Sequence, residues 1–183
     1  MKIMIIMLVV VVVIPSVLLY FISRNYYYER NMSRYAMGVA YLEVKDSFSS
    51  FAYCIRTNTS TLARTIMENV HTQESVDLLA YMDPPNHQLW WRLSSVFGEL
   101  QTLAQIDFFP NGSGLIGVKP EKVYSYVLDL NDTITQAEVS MQYTDSASDY
   151  IYNPDGNLFQ LNQTKLLEMD DIGRQFLSSV MPP

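Results

Sequence analysis

The chain has 183 residues, with 12 Lys and Arg against 19 Asp and Glu, and a formal net charge of −7. From Ala36 to Pro183 the balance is 8 basic to 18 acidic residues, a field that repels phosphate backbones and anionic headgroups, so nucleic acid is excluded as a partner of this region. The single cysteine, Cys54, excludes an intrachain disulfide framework and a cysteine-built zinc site, and reads as a small apolar residue packed in a helix.

Ile3 to Ser23 is a run of 21 uncharged residues, 15 of them Val, Ile, Leu or Phe. A bilayer core of about 30 Å takes about 20 helical residues to cross, so the run predicts a membrane anchor over residues 1–23. It is longer than the apolar region of a cleaved signal peptide and ends in LYFISRNYYY with no small-x-small site, which reads as uncleaved. Pro15 predicts a kink, and Tyr20, Tyr26, Tyr27 and Tyr28 suit the aromatic belt at a membrane surface. Arg24, Arg30 and Arg34 on the far side argue by charge count for a cytoplasmic bulk. A short amino tail with Lys2 resembles a signal anchor, however, and large following domains translocate largely regardless of charge, which predicts an extracytoplasmic domain.

Beyond the anchor, Tyr28, Met32, Tyr35, Val39, Leu42, Phe48, Phe51, Ile55, Leu62, Ile66 and Val70 recur at helical spacing, and no proline falls between Pro15 and Pro84. The pattern predicts a long extracytoplasmic helix over 24–72, continuous or broken, whose apolar face packs within the chain or forms a homodimer seam. The remaining residues, 73–183, read as one domain. A short helix from Gln73 to Met82 ends at Asp83-Pro84-Pro85, and Asn86 is placed to cap a helix from His87 to Gln105 with Leu89, Trp90, Leu93, Val96, Phe97, Leu100 and Leu103 on its apolar face. From Ile106 the runs IDFF, GLIGV, VYSYVLDL, AEVSMQY and DYIYNPDGNLFQL predict short antiparallel strands, with Asn153-Pro154-Asp155-Gly156 as the turn of a hairpin from Tyr150 to Leu161. A last helix covers Thr164 to Val180. The fold class expected is α+β: an N-terminal transmembrane helix running into a long helix, then a helix and an antiparallel sheet.

The chemistry-bearing motifs are weak. Gly112-Ser113-Gly114-Leu115-Ile116-Gly117 matches a dinucleotide fingerprint, but Val118-Lys119-Pro120 follows where a helix must open, which reads as a turn. Asp129-Leu130-Asn131-Asp132-Thr133 begins like a calcium loop but lacks its glycine and its bidentate glutamate. His71 and His87 lie at helix ends, and no constellation supports catalysis, a metal or a cofactor. Five Asn-x-Ser/Thr sequons, at Asn31, Asn58, Asn111, Asn131 and Asn162, leave open a glycosylated structural or adhesive ectodomain. Tyr124, Tyr126, Tyr150 and Tyr152 alternate on the strand-like runs; on a concave face they and Asp129 form a candidate binding site for a small polar solute, with aromatic packing as the alternative.

The segment IPSVLLYFISRNYY, the long helix after it and the hairpin YIYNPDGNLFQ resemble the membrane-distal part of the Cache-type, PAS-like extracytoplasmic sensor region of Gram-positive membrane receptors, such as sensor histidine kinases and membrane-anchored AraC-type regulators. The resemblance implies a noncatalytic ligand-sensing module of a bacterial signal-transduction receptor: a PAS-like sheet that binds a small extracellular solute, a homodimer through the long helix, and an output that lies elsewhere. No ligand-binding residue carries over, since Trp90-Trp91-Arg92 is not the amino-acid signature of such sensors.

Overall fold

In the computed structural model, which describes residues 12–58, 61–69, 71–106, 108–109, 118–140 and 159–180, the first element is a 43-residue helix, α1 (Ile14–Arg56). Pro15 stands in its first turn, where a missing N–H costs no helical hydrogen bond, so the described helix has no proline in its interior to kink it. α1 ends at Thr57 and Asn58, and Asn58 takes a φ of 50°, the left-handed region that asparagine tolerates better than most residues. The helix therefore stops well short of Val70, and α2 (Leu62–Glu68) is a separate element. α3 (His71–Met82) runs into a 3-10 turn at Pro84–Asn86, and α4 (His87–Gln105) follows, with every residue of its expected apolar face buried. Asn86 does not cap α4 through its side chain; its amide donates to the Asp83 carboxylate at 2.9 Å instead.

The expected PAS-like sheet is corrected, and the expected membrane-crossing helix is not found among the described residues. No helix among the described residues is long and apolar enough to cross a membrane. α1 offers only Ile14 to Ser23 before Arg24, on the order of 15 Å at 1.5 Å per residue, and residues 1–11 of the apolar run lie outside the described part. The run VYSYVLDL is not a strand: it lies in α5 (Pro120–Ala137), whose buried side chains Val123, Val127, Leu130, Ile134 and Ala137 step by four and three. The sheet among the described residues has two short antiparallel strands, β1 (Glu138–Ser140) and β2 (Gln160–Leu161), with Glu138 opposite Leu161. The hairpin turn at Asn153-Pro154-Asp155-Gly156 and most of GLIGV lie outside the described residues. The last helix, α6 (Gln163–Val180), begins where expected, and Asn162 Oδ1 caps it by accepting from the amides of Thr164 (3.0 Å) and Lys165 (3.4 Å).

The helices close a ring in the order α1, α3, α4, α6, α5 and back to α1, with α2 laid against α4 and α1. α1 fills the ring with Tyr41, Val44, Phe48 and Phe51, and α4 answers with Trp90, Leu93, Phe97 and Leu100. Phe51 stacks on Phe97 (centroids 6.1 Å apart, 19° between planes), and Tyr41 meets Trp90 edge-on at 6.2 Å. A polar seam accompanies this core between α1 and α3: the Ser47 and Thr72 hydroxyls share a hydrogen bond of 2.7 Å, Ser47 also reaches Asn69 Oδ1 at 3.3 Å, and Ser75 donates to the Glu43 carboxylate at 3.0 Å. Asp83 accepts from the buried Trp90 indole N–H at 3.0 Å and so pins the end of α3 to the start of α4. Truncating the central ring of Phe48 leaves a cavity that rigid neighbours cannot close. Phe48→Ala is expected to lower stability by about 3–5 kcal/mol in a denaturant or thermal melt.

Candidate functional site

The described groups offer little for catalysis. No three His, Cys, Asp or Glu side chains among the described residues come together to hold a metal ion. His71 pairs with Glu74 on the surface at 3.2 Å, and His87 Nδ1 faces the Pro84 carbonyl at 2.9 Å. Cys54 is buried, with its sulfur 3.5 Å from the Thr65 hydroxyl and 3.7 Å from that of Thr61.

Tyr124 and Tyr126, expected to share a strand face, diverge, because residues two apart on a helix point about 200° away from each other. Tyr124 stacks on Phe109 (5.7 Å, 20°), and burial followed by the charge of Glu121 pushes its phenol pKa up. Tyr126 turns instead to the edge of Phe176, 6.0 Å away, and lines a cleft of about 330 Å³ between α5 and α6 together with Lys122, Arg174, Ser178 and Ser179. Most polar groups of that cleft are committed: Arg174 holds Asp170 at 2.7 Å and Asp171 at 3.4 Å, and both serine hydroxyls donate to carbonyls of their own helix. Asp129 is exposed on α5, and Tyr150 and Tyr152 lie outside the described residues. Among the described residues, Tyr124 and Tyr126 thus do not share a face.

Two other surfaces stand out. The first is the amino-terminal part of α1. Val12, Val13, Ile14, Val17, Leu18, Leu19, Tyr20, Phe21 and Ile22 are all exposed, on every side of the helix. Further along, Tyr28, Met32, Tyr35 and Val39 are exposed at steps of four, three and four, and at 100° per residue they lie opposite the buried face made by Tyr41, Val44, Phe48 and Phe51. The second is a cleft of about 330 Å³ between α3 and α4, lined by Asp77, Ala80, Tyr81, Pro84, His87 and Trp91. Sequence reasoning missed it, although the tandem Trp90-Trp91 held the signal: neighbours on a helix point about 100° apart, so with Trp90 in the core Trp91 had to leave it.

The most perturbed group among the described residues joins α1 to α5. Buried Tyr41 donates at 2.5 Å to the carbonyl of Ile134, one of the last four in α5 and so without a helical partner. Glu138, just beyond, is paired with Lys45 at 2.5 Å. Burial first, and the Glu138 charge second, hold the Tyr41 phenol pKa far above its ordinary value. Comparison with known protein families, curated proteins and solved structures finds no match.

A phenol whose pKa is raised on folding contributes stability that is complete below its unfolded value, about 10, and is lost as pH rises above it, because only the unfolded chain then releases the proton. Stability is expected to fall above about pH 10 more steeply in the parent chain than in Tyr41→Phe, read as the pH dependence of denaturant unfolding. At neutral pH that variant loses about 1 kcal/mol with the hydrogen bond.

Proposed function

We propose that this chain is a noncatalytic sensing module of a signal-transduction receptor, held at a lipid bilayer by its amino-terminal apolar run, with the helical bundle on the extracytoplasmic side and two copies meeting along α1. One observation carries the reading: α1 is unbroken, unpacked and apolar at one end, and part of the core at the other. Each large apolar side chain moved from water into lipid gains roughly 1.5–3 kcal/mol at full burial, and nine consecutive or near-consecutive ones, Val12 to Ile22, are exposed among the described residues. Tyr20, Tyr26, Tyr27 and Tyr28 then fall where the headgroups begin. The acidic bundle is repelled by the anionic cytoplasmic leaflet, which favours the outer side.

The second copy is argued from the stripe Tyr28, Met32, Tyr35 and Val39. Its spacing is that of a two-helix seam, it lies opposite the face used by the bundle, and it continues directly from the apolar stem. A displacement or rotation of α1 at the seam is carried into the core by Tyr41, Phe48 and Phe51, which gives the module a route for a signal. The glycosylated ectodomain is the weaker reading, since Asn31 and Asn131 are buried on helices, where a glycan has no room.

Cys54 is buried, so a thiol-labelling test of which side the bundle occupies needs a new cysteine. In a bacterium expressing Cys54→Ser with Tyr53→Cys, a position 67% exposed, a membrane-impermeant maleimide is expected to label intact cells. Labelling only after permeabilisation places the bundle inside and overturns the reading. With Cys54→Ser and Met32→Cys, mild oxidation of membranes is expected to yield a disulfide-linked dimer, and a product that stays monomeric removes the seam.

A further inference from the structure

The cleft between α3 and α4 carries an inference that needs neither the bilayer nor the dimer. Its walls are two aromatic rings left open on a folded surface, Tyr81 at 85% and Trp91 at 57% exposure, with neither in an aromatic pair among the described residues. Ala80 and Pro84 add apolar surface and, with Tyr81 and Trp91, leave Asp77 and His87 as the only other lining residues. Asp77 is held in place from one side: its Oδ1 accepts from the Ser94 hydroxyl at 3.0 Å and from the Gln73 amide at 3.4 Å, while Oδ2 has no partner among the described residues. A carboxylate held from one side, with a spare oxygen, beside two exposed aromatic side chains is the chemistry of an organic cation site, since aromatic ring faces attract a cation that is too weakly hydrated to prefer water.

Competing occupants fit less well. An anion meets the Asp77 charge and the field of a region with 8 basic and 18 acidic residues. A metal ion finds one carboxylate, fewer ligands than hard cations take. A neutral saccharide needs many hydrogen-bonding partners, and of the six lining side chains Ala80 and Pro84 offer none while Tyr81 and Trp91 offer one hydroxyl and one indole N–H. We propose that the α3–α4 cleft binds a methylated ammonium group, seated against Trp91 and Tyr81 with Asp77 as its counter-charge.

The test uses the full chain in a neutral maltoside detergent, titrated with choline chloride while sodium chloride holds the ionic strength constant. Binding is read by calorimetry and by saturation transfer from the protein to the N-methyl protons. Saturable binding is expected, weakened about tenfold or more by Asp77→Asn and by Trp91→Leu but largely kept by Trp91→Phe, which preserves an aromatic face. The carbon isostere of choline, the same shape without charge, is expected to bind at least about tenfold more weakly. Absence of saturable binding, equal binding of the isostere or of a methyl pyranoside, or unchanged affinity in both Asp77→Asn and Trp91→Leu each overturns the proposal. The altered positions are on the surface, and a melting curve checks that each variant folds. Should one fail, Tyr81→Leu gives the same reading.

Discussion

The place of α1 in the bundle is fixed around one phenol. Tyr41 donates its hydroxyl to the Ile134 carbonyl, sets its ring edge-on to Trp90 and lies 5.1 Å from the ring of Phe159, so one side chain touches α5, α4 and the approach to β2. The bond also answers a general demand of helices, because the last carbonyls of α5 have no amide ahead of them once the chain turns into β1. The Ala137 carbonyl meets the same demand by accepting from the Asn162 amide at 2.8 Å, which places α6 beside α5. These two closures add to the side-chain packing that joins α1 to α5 and α5 to α6, where Ser49 also donates to Asn131 and Arg56 pairs with Asp132.

What the core does not take, the surface displays. The chain splits its paired tryptophans, one fully buried and bonded to Asp83, the other on the surface beside Tyr81. It splits α1 in the same way, with Tyr41, Val44, Phe48 and Phe51 inward and large apolar residues outward from Val12 to Val39. The two clefts differ in how far their charges are already used. Between α5 and α6, Arg174 is satisfied by Asp170 and Asp171, and the serine hydroxyls by their own helix. Between α3 and α4, the pairing of Asp77 leaves one carboxylate oxygen over among the described residues. A ligand gains from a group that is held in position yet incompletely paired, so the second cleft is the better prepared of the two.

How much of this the sequence disclosed follows the length of each repeat. α4 was legible to the residue, because Leu89 to Leu103 repeats over about four turns and Pro84-Pro85 marks its approach. α6 and the end of α3 were legible for similar reasons. α5 was misread, since Tyr124 and Tyr126 alternate with Ser125 and Val127 and mimic a strand over four residues, while the longer series Val123, Val127, Leu130, Ile134 is helical. Pro120 followed by Glu121 was a helix start that was read as an extended turn. The difference separates Tyr124 from Tyr126, because residues two apart share a strand face and diverge on a helix. The cleft between α3 and α4 was hidden because its walls come from two helices and a proline turn, a conjunction that periodicity along one helix does not reveal.

The polar seam between α1 and α3 bears on mechanics. Apolar contacts between helices resist separation, yet change little when one helix slides by a fraction of an ångström, whereas a hydrogen bond of 2.7 Å is lost within about an ångström of travel. Ser47 to Thr72 and Ser75 to Glu43 bridge α1 to α3, and Tyr41 to Ile134 bridges it to α5, so all three lie across the long axis of α1. A pull along the stem loads them together in shear, while a sideways force on the exposed end loads them one after another. The bundle is therefore stiff to a piston stroke of α1 and compliant to its tilt.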